Sequence, residues 1–146
     1  MNYWIFVHTG TNADKTFLQL TKLNNWGFEI TRPTKNRINE LRKGDAVVFY
    51  VGGRNGKYLS GEARLTSNAH TPTRESVGGP KDVKLGSMVD FDNIDLWNGQ
   101  KIYVSNPYIR QKLRFIKNKD NWGMTFGQSL VRITESDYED IKALLD

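Results

Sequence analysis

Two of the four tryptophans precede a glycine and lie close to runs of basic and amide residues. Trp26 is followed by the run at residues 35–37, and Trp122 follows the run at residues 117–119. An indole in such a segment is either a plug over the core or the wall of a pocket, since large rings are highly buried on average. An exposed ring stacks on a flat base, and neighbouring cations bind phosphates. The two combinations therefore favour nucleic-acid recognition, with a solvated loop as the alternative for each basic run.

Catalytic and metal chemistry has few candidates in this chain. There is no cysteine, which excludes a thiolate zinc site and a cysteine nucleophile, and there are two histidines, His8 and His70. No P-loop or serine nucleophile elbow is present. Asp90, Asp92 and Asp95 lie close together, but the glycine and spacing of a cation-binding loop are missing, which favours a solvated strand face. We therefore expect no metal, no cofactor and no catalytic site.

Two other functions remain open at this point. A small enzyme or nucleotide-binding protein would need a titratable group with a shifted pKa in its cleft, and His8 is the candidate for that role. A structural protein would instead dock another chain through exposed aromatic residues. Turnover that depends on His8, or self-association in solution, would favour these alternatives over nucleic-acid binding.

Composition and charge are those of an ordinary globular domain with a basic excess. The 146 residues include 21 Lys and Arg against 16 Asp and Glu, and 12% are aromatic. Such a balance indicates either nucleic-acid binding or a soluble surface with a modest charge excess, and the length predicts one domain over residues 1–146. No stretch approaches the roughly 18 apolar residues of a membrane span, and the apolar start lacks a signal-peptide pattern. We therefore expect a cytoplasmic protein with no membrane contact.

Hydrophobic patterning predicts the elements that position the N-terminal residues. Apolar and β-branched runs predict strands at residues 3–8, 46–51 and 58–67, the last two joined by a hairpin. A short helix with an uneven apolar face follows the first strand. Residues 26–37, which contain Gly, Pro and polar residues, are predicted to be mostly loop.

The C-terminal half is predicted to alternate extended segments and loops before a final helix. Residues 83–96 are predicted to be extended, and residues 129–133 to be the last strand. Pro107 is expected to break the chain between them. Thr134 and Asp137 form a capping-box pattern that begins the C-terminal helix. Five or six strands with two or three short helices predict an α+β fold, a small mixed β-barrel with helical decorations.

Several motifs, in their order along the chain, resemble the EVE domain family. They are Tyr3-Trp4-Ile5, Trp26-Gly27, Lys43-Gly44-Asp45 with the strand that follows, and the stretch from Leu113 through Phe115-Ile116-Lys117-Asn118-Lys119 and Trp122 to Asp137-Tyr138. The resemblance covers essentially the whole chain. It implies a PUA-like mixed β pseudobarrel with short flanking helices, related to YTH and ASCH domains. It also implies a non-catalytic reader of a modified nucleobase in DNA or RNA, because YTH relatives read N6-methyladenine in RNA through an aromatic-lined cleft.

The resemblance also implies where a base would bind. Trp26 resembles the family's loop tryptophan at the cleft mouth, and Tyr50 resembles the aromatic residue that ends the Lys-Gly-Asp strand. Other EVE branches carry a tryptophan where this chain has Gly86, and we expect Trp122 to replace that ring and to clamp the base together with Trp26. The predicted base-binding residues are Trp26, Tyr50, Trp122, Thr9, Asn36, Ser87 and Met88, and the predicted phosphate-binding residues are Arg37, Lys117 and Lys119.

Overall fold

The computed structural model describes residues 1–29, 37–54, 56–73 and 85–146. The strands bounded within these residues are β1 (Tyr3–Thr9), β2 (Asn25–Glu29), β3 (Ala46–Gly53), β4 (Gly56–Arg64), β5 (Leu85–Asp90), β6 (Ile102–Tyr103) and β7 (Leu130–Ile133). The helices are α1 (Ala13–Leu20), α2 (Pro107–Arg110) and α3 (Glu135–Lys142), and short 3-10 segments cover Trp97–Gly99 and Trp122–Phe126.

β1 and β3 form the centre of the larger sheet, whose strand order is β6-β4-β3-β1-β7. β1 lies parallel to β3, from Tyr3 opposite Ala46 to Thr9 opposite Gly52. The other neighbouring pairs of this sheet are antiparallel, and β2 and β5 form a separate antiparallel pair. Because β1 and β3 run in the same direction, their carboxyl ends meet at one end of the sheet.

Both faces of the larger sheet are buried, because successive residues of a strand point to opposite faces. One face is covered by α1 and the β2–β5 pair, in what we term the Phe49 cluster; its aromatic members are Trp4, Phe6, Phe17, Trp26, Phe28, Phe49, Tyr58 and Phe91. The other face is covered by the C-terminal part of the chain, in what we term the Tyr50 cluster; its members include Ile5, Tyr50, Leu59, Leu113, Ile116, Phe126 and Ile141. The sheet therefore separates two apolar cores.

Local sequence signals explain how the two C-terminal helices begin. The Thr134 hydroxyl accepts a hydrogen bond from the Asp137 amide, and the Asp137 carboxylate accepts one from the Thr134 amide at 2.9 Å, which confirms the predicted capping box. Pro107 begins α2 instead of breaking the chain, because the first turn of a helix needs no N–H from that residue. The side chain of Asn106 caps α2 by accepting from the Tyr108 amide at 2.9 Å.

The α+β prediction is confirmed, with two corrections. The segment predicted to be mostly loop begins with β2, which pairs with β5 so that Trp26 lies opposite Val89. A closed barrel is not formed by the described residues; single bridges, Leu65–Phe91 and His70–Met88, join the segment that follows β4 to β5 and its C-terminal neighbour. Within the same described part of the chain, no helix has the length and apolar character needed to cross a membrane.

Candidate functional site

The carboxyl ends of β1 and β3 bring several polar and aromatic residues to one end of the larger sheet. Thr9 lies opposite Gly52, and the Gly10 amide donates to the Gly52 carbonyl at 3.2 Å. The start of α1 packs directly on Gly53, where a β-carbon would lie 3.0 Å from the Gly10 carbonyl oxygen and 3.3 Å from the Ala13 β-carbon. Glycine is therefore required at position 53 for the chain to turn from β1 into α1 across the end of β3.

Tyr50 is 3% exposed, and its hydroxyl lies next to Gly52 at this end of the sheet. Its ring stacks on Phe126 with a centroid distance of 3.9 Å and an interplanar angle of 2°. A β-carbon at Gly52 would lie 2.8 Å from the Tyr50 ring and 3.3 Å from the Thr9 methyl group, so these three residues are in close contact. Burial raises the pKa of Tyr50 to about 12. The hydroxyl therefore stays protonated at neutral pH, and no described residue hydrogen-bonds to it.

Trp122 lies on the same face as Tyr50 and attracts cations. Its half-buried ring meets Phe126 edge-on, with centroids 6.4 Å apart. The Lys57 ammonium lies 5.5 Å and the Arg110 guanidinium carbon 5.1 Å from the Trp122 ring centroid. Both distances are within the range of cation–π attraction. Trp122 therefore holds two positive charges beside the Tyr50–Phe126 stack.

Backbone carbonyls hold Arg110 and a further cation, Lys119, in place. The guanidinium of Arg110 donates to the carbonyls of Val104 and Ser105 at 3.0 and 2.8 Å. The Lys119 ammonium donates to the carbonyls of Arg110 and Leu113 at 2.8 and 2.6 Å. Burial, together with the nearby charge of Arg110, lowers the pKa of Lys119. We refer to Lys57, Arg110 and Lys119 as the cation cluster.

Trp26 does not belong to this group. It is 4% exposed and packs in the Phe49 cluster, with ring centroids 5.1 Å from Phe49 and 5.9 Å from both Phe6 and His8. Trp122 packs in the Tyr50 cluster on the opposite face of the sheet. The prediction that Trp26 and Trp122 clamp one base between them is therefore wrong, because the sheet lies between the two rings.

The predicted base contacts Ser87 and Met88 lie on the Trp26 side. β5 places Met88 opposite Gly27 and Ser87 opposite Phe28. Met88 is fully buried and its sulfur accepts a hydrogen bond from the Thr73 hydroxyl at 3.3 Å, while Ser87 is half-buried. The structure therefore separates the predicted base-binding residues into a Trp26 side and a Tyr50 side, and Thr9 lies on the Tyr50 side.

The remaining predicted residues are dispersed. Asn36 lies outside the described residues. Arg37 donates to the Gln128 side chain at 2.9 Å and is 3.5 Å from the Leu130 carbonyl, at the start of the edge strand β7. Lys117 is exposed and has no hydrogen bond or ion pair with another described residue. Among the predicted phosphate contacts, Lys119 alone belongs to the cation cluster.

His8, the residue named for a possible enzymatic function, is engaged within the fold. Its Nε2 lies 2.6 Å from the Thr16 hydroxyl, and its ring meets Trp26 edge-on. Burial lowers the pKa of His8, which favours the neutral imidazole at pH 7. No group of three or more potential metal ligands occurs among the described residues. His8 therefore has a structural hydrogen-bond partner, Thr16. No carboxylate among the described residues is seen to orient its ring as a general base.

Sequence reasoning missed three residues of the site, namely Lys57, Arg110 and Phe126. They come from β4, α2 and the second 3-10 segment, which are far apart in the chain. Only the tertiary structure brings them together around Tyr50 and Trp122, so no local pattern could have identified them. The nearest signal was the basic run at residues 117–119, which contains Lys119 of the cation cluster.

Sequence comparison provides limited information. No family model matches the chain. A curated relative, UPF0310 protein PH1033 of Pyrococcus horikoshii, is 27% identical over 161 residues and is covered over 99% of both chains. Its description assigns no activity, so the solved structures are the more informative comparison.

Several solved structures share the fold over nearly the full chain. A hypothetical protein from Leishmania major superposes with a TM-score of 0.66 at 18% identity, covering 99% of this chain and 94% of that one. Human THYN1, solved in complex with DNA containing 5-methylcytosine, gives 0.62 at 13% identity, covering 99% and 97%. The Mmi1 YTH domain gives 0.59 at 12% identity, covering 98% and 88%. The chain therefore has a fold similar to those of human THYN1 and the Mmi1 YTH domain, in agreement with the predicted fold related to YTH domains.

Proposed function

We propose that residues 1–146 form a non-catalytic nucleic-acid-binding module that reads a modified nucleobase in DNA or RNA. The observation that carries the proposal is the cation cluster, which is held by Trp122 and backbone carbonyls on the same face as Tyr50, whose hydroxyl has no hydrogen-bond partner among the described residues. Human THYN1, which has the same fold, was solved with DNA that contains 5-methylcytosine. This likeness supports nucleic acid as the ligand class.

The cation cluster would bind phosphates. Bringing Lys57, Arg110 and Lys119 together costs repulsion, which their bonds to carbonyls and to the Trp122 ring offset in the free protein. A bound phosphate would reduce the remaining repulsion through charge-assisted hydrogen bonds with these cations. Exposed Lys117 provides a further positive charge on the same segment. Binding to a single strand would therefore weaken with salt, with a slope of about −0.7 per neutralised phosphate.

The base would bind on the Tyr50 side. The exposed Thr9 hydroxyl bonds to the edge of the base, and the half-buried Trp122 ring forms a wall. The Tyr50 hydroxyl, beside Gly52, donates a second hydrogen bond to that edge while its ring stays 3% exposed against Phe126. Extruding a base from a duplex costs a few kcal/mol, so an unpaired or modified base would be favoured. The competing location is the Trp26 side with Asn36, Ser87 and Met88, where the Trp26 ring is enclosed by other rings.

Calorimetric titration with matched oligonucleotides tests this proposal. Single strands of DNA and RNA that carry one 5-methylcytosine or one N6-methyladenine are compared with their unmodified equivalents. We expect one modified strand to bind more tightly, and Trp122→Ala to weaken its binding by about fivefold or more, the loss typical of one stacked base. Tyr50→Phe should remove the preference for the modified base while the salt dependence is retained.

Two control variants separate the possible outcomes. Lys22→Ala removes one exposed positive charge next to α1, on the opposite side of the sheet, and should leave affinity unchanged. Ser87→Ala tests the Trp26 side; a loss of base preference in that variant, with Tyr50→Phe unaffected, would move the base site to the other face. Equal affinity for all modified and unmodified strands would reject base reading.

The enzymatic alternative is tested in the same experiments. His8 is bonded to Thr16 and its pKa is lowered, which gives no support for a proton-transfer role. Incubation with modified and unmodified nucleosides should therefore produce no turnover. Turnover that His8→Ala abolishes would replace the binding function with an enzymatic one.

A further inference from the structure

The excess positive charge of the chain is concentrated in a single segment. Residues 96–119 contain six of the 21 Lys and Arg and none of the 16 Asp and Glu. The rest of the chain therefore has a net charge of −1. The segment runs from the first 3-10 turn through β6 and α2, along the β6 edge of the larger sheet. One of its cations, Arg114, pairs with Asp140 at 2.9 Å; the others have no acidic partner among the described residues.

The same segment exposes aromatic rings. β6 directs Ile102 into the core and leaves Tyr103 42% exposed. Tyr103 rests on Tyr58 with a centroid distance of 5.6 Å, and the Lys101 ammonium lies 4.9 Å from the Tyr58 ring centroid. Tyr108, on α2, is 79% exposed. Tyrosine rings and a lysine cation therefore lie together on β6 and the helix that follows it.

Tight turns fix the two exposed rings relative to the cation cluster. The Asn106 amide donates to the Tyr103 carbonyl at 3.1 Å, and the Asn106 side chain caps α2 through the Tyr108 amide. The Val104 amide donates to the Lys57 carbonyl at 3.0 Å. Lys57 belongs to the cation cluster, so the two surfaces are continuous. We refer to Tyr103, Tyr108 and Lys101 as the edge patch.

We infer that the edge patch binds the unpaired strand that flanks the recognised base, with Tyr103 and Tyr108 stacking on neighbouring bases and Lys101 and Lys57 contacting phosphates. This inference rests on the proposed nucleic-acid function. A single strand fits the patch because its bases have free faces, whereas the bases of a duplex stack on one another. Aromatic rings that alternate with cations along a surface bind single strands with little sequence preference.

One acid approaches the patch from α1. Burial, followed by the charges of Asp14 and Tyr103, raises the pKa of Tyr58. Asp14 lies in the first turn of α1, outside the segment at residues 96–119 that contains no acid. The six cations of that segment therefore still outnumber the acid near the patch, which suits phosphate.

A comparison of short and long oligonucleotides tests the inference. The short strand carries only the recognised base and its immediate neighbours, and the long strand extends it by several nucleotides on both sides. The wild type should bind the long strand more tightly than the short one. Combined Tyr103→Ala and Tyr108→Ala should reduce this gain by about fivefold or more for each stacked base and leave the short strand unaffected.

Matched variants distinguish stacking from folding and from charge. Tyr103→Phe with Tyr108→Phe keeps the rings and should retain most of the gain, and thermal melting checks that the alanine variant stays folded. Lys101→Ala should reduce the salt dependence of long-strand binding, while Lys22→Ala should not. A duplex of the same length should show no difference between the wild type and the tyrosine variants.

The outcomes separate this inference from the proposed function. If the alanine variant binds the long strand as tightly as the wild type does, the edge patch is not a strand-binding surface, whatever Trp122→Ala shows. If the alanine variant no longer binds the long strand more tightly than the short one, but methylation never affects affinity, the edge patch binds strands and the proposed base reading is wrong. If the tyrosine substitutions abolish self-association instead, the patch is a protein contact and the inference is overturned.

Discussion

Trp4 donates its indole N–H to the carboxylate of Asp45 at 2.9 Å inside the core, where Asp45 is 1% exposed. The same carboxylate accepts from the Asn2 amide at 2.9 Å and from the Arg42 amide at 3.0 Å. Gly44 reaches a φ of 95°, a conformation that favours glycine, and so turns the chain to place Asp45 there. The Lys-Gly-Asp motif is thus a structural device that fixes the N-terminus to β3.

Asp45→Ala should therefore destabilise the protein strongly. It leaves three N–H donors without their acceptor, and a buried donor without a partner costs about 1–3 kcal/mol. We expect a loss of about 3 kcal/mol or more in the free energy of unfolding, measured by urea denaturation. Asp92→Ala, an exposed aspartate, is the control and should change stability by less than about 0.5 kcal/mol. Similar values for the two variants would contradict the role assigned to Asp45.

Trp26→Ala should lower the free energy of unfolding, and any loss of affinity should follow from that loss of stability. Trp26 is surrounded by the rings of Phe6, Phe17 and Phe49, and truncating a buried aromatic residue costs about 3–5 kcal/mol. Trp26→Phe fills more of the space and should cost less. Denaturation and oligonucleotide titration of Trp26→Phe together check this role. We expect a folded variant with normal affinity. A folded variant that has lost base preference would instead place the base beside Trp26.

Glu62 anchors the C-terminal helix to the sheet. Its carboxylate accepts from Trp97 Nε1 at 2.6 Å and from the Tyr138 hydroxyl at 2.5 Å, and it pairs with Lys142. Burial alone would raise the pKa of Glu62, but hydrogen bonds from these three residues outweigh it and lower the pKa. This stabilisation is present above the ordinary glutamate pKa and is lost as pH falls through the lowered value.

Glu62→Gln should therefore make stability less dependent on pH in the acidic range. The wild type should lose stability below about pH 4.5, and the variant should start from a lower plateau and lose less. Tyr138→Phe keeps the ring and removes one hydrogen bond to a charged group, a loss of about 1.5–3 kcal/mol. Thermal melting from neutral to acidic pH measures both. Parallel pH profiles for wild type and Glu62→Gln would show that Glu62 does not titrate with folding.

His70 should contribute to stability with a pH dependence opposite to that of Glu62, because its contribution is lost as the pH rises. Its Nδ1 faces the Thr71 carbonyl at 2.7 Å and its Nε2 lies 3.0 Å from the Asp90 carboxylate. The bond to Thr71, aided by Asp90, raises the pKa of His70 despite partial burial. A raised pKa means that the contribution is complete below the ordinary histidine pKa and is lost as pH rises through the higher value.

This contribution is small because the His70–Asp90 pair is partly exposed. Such pairs contribute at most about 1 kcal/mol. Denaturation at several pH values should show a small decrease in stability above pH 6.5 for the wild type and none for His70→Gln. NMR titration of the His70 ring is the direct check, and a midpoint below the ordinary value would contradict the assignment.

The sequence was sufficient for elements whose signals are local. Thr134 and Asp137 identify the start of α3, and β-branched runs identify β1 and β3. β2 was missed because Gly27 weakens the strand pattern. In the structure Leu85 packs over Gly27, so that its Cδ1 would lie 2.5 Å from a β-carbon at that position. That requirement is tertiary and cannot be detected in β2 alone.

The candidate site was only partly predictable for the same reason. Trp122 was predicted from its residue type and surroundings and Tyr50 from the family resemblance, and the two share one cluster. Trp26 was wrongly assigned to the same base-binding cleft as Trp122. The face of the sheet on which a side chain lies depends on strand pairing, and the pairing of β2 with β5 was not known from the sequence. Lys57 and Arg110 contact Trp122 in the folded chain, and their positions in the sequence give no indication of these contacts.

The unequal burial of the four indoles has a spectroscopic consequence. Trp4, Trp26 and Trp97 are buried to within a few per cent, whereas Trp122 is half-buried and lies between cations. Iodide, an anionic quencher of fluorescence, should therefore collide mainly with Trp122. Red-shifted emission that iodide quenches would report on this one ring in the unmodified protein, and would follow the arrival of any ligand at it without a label.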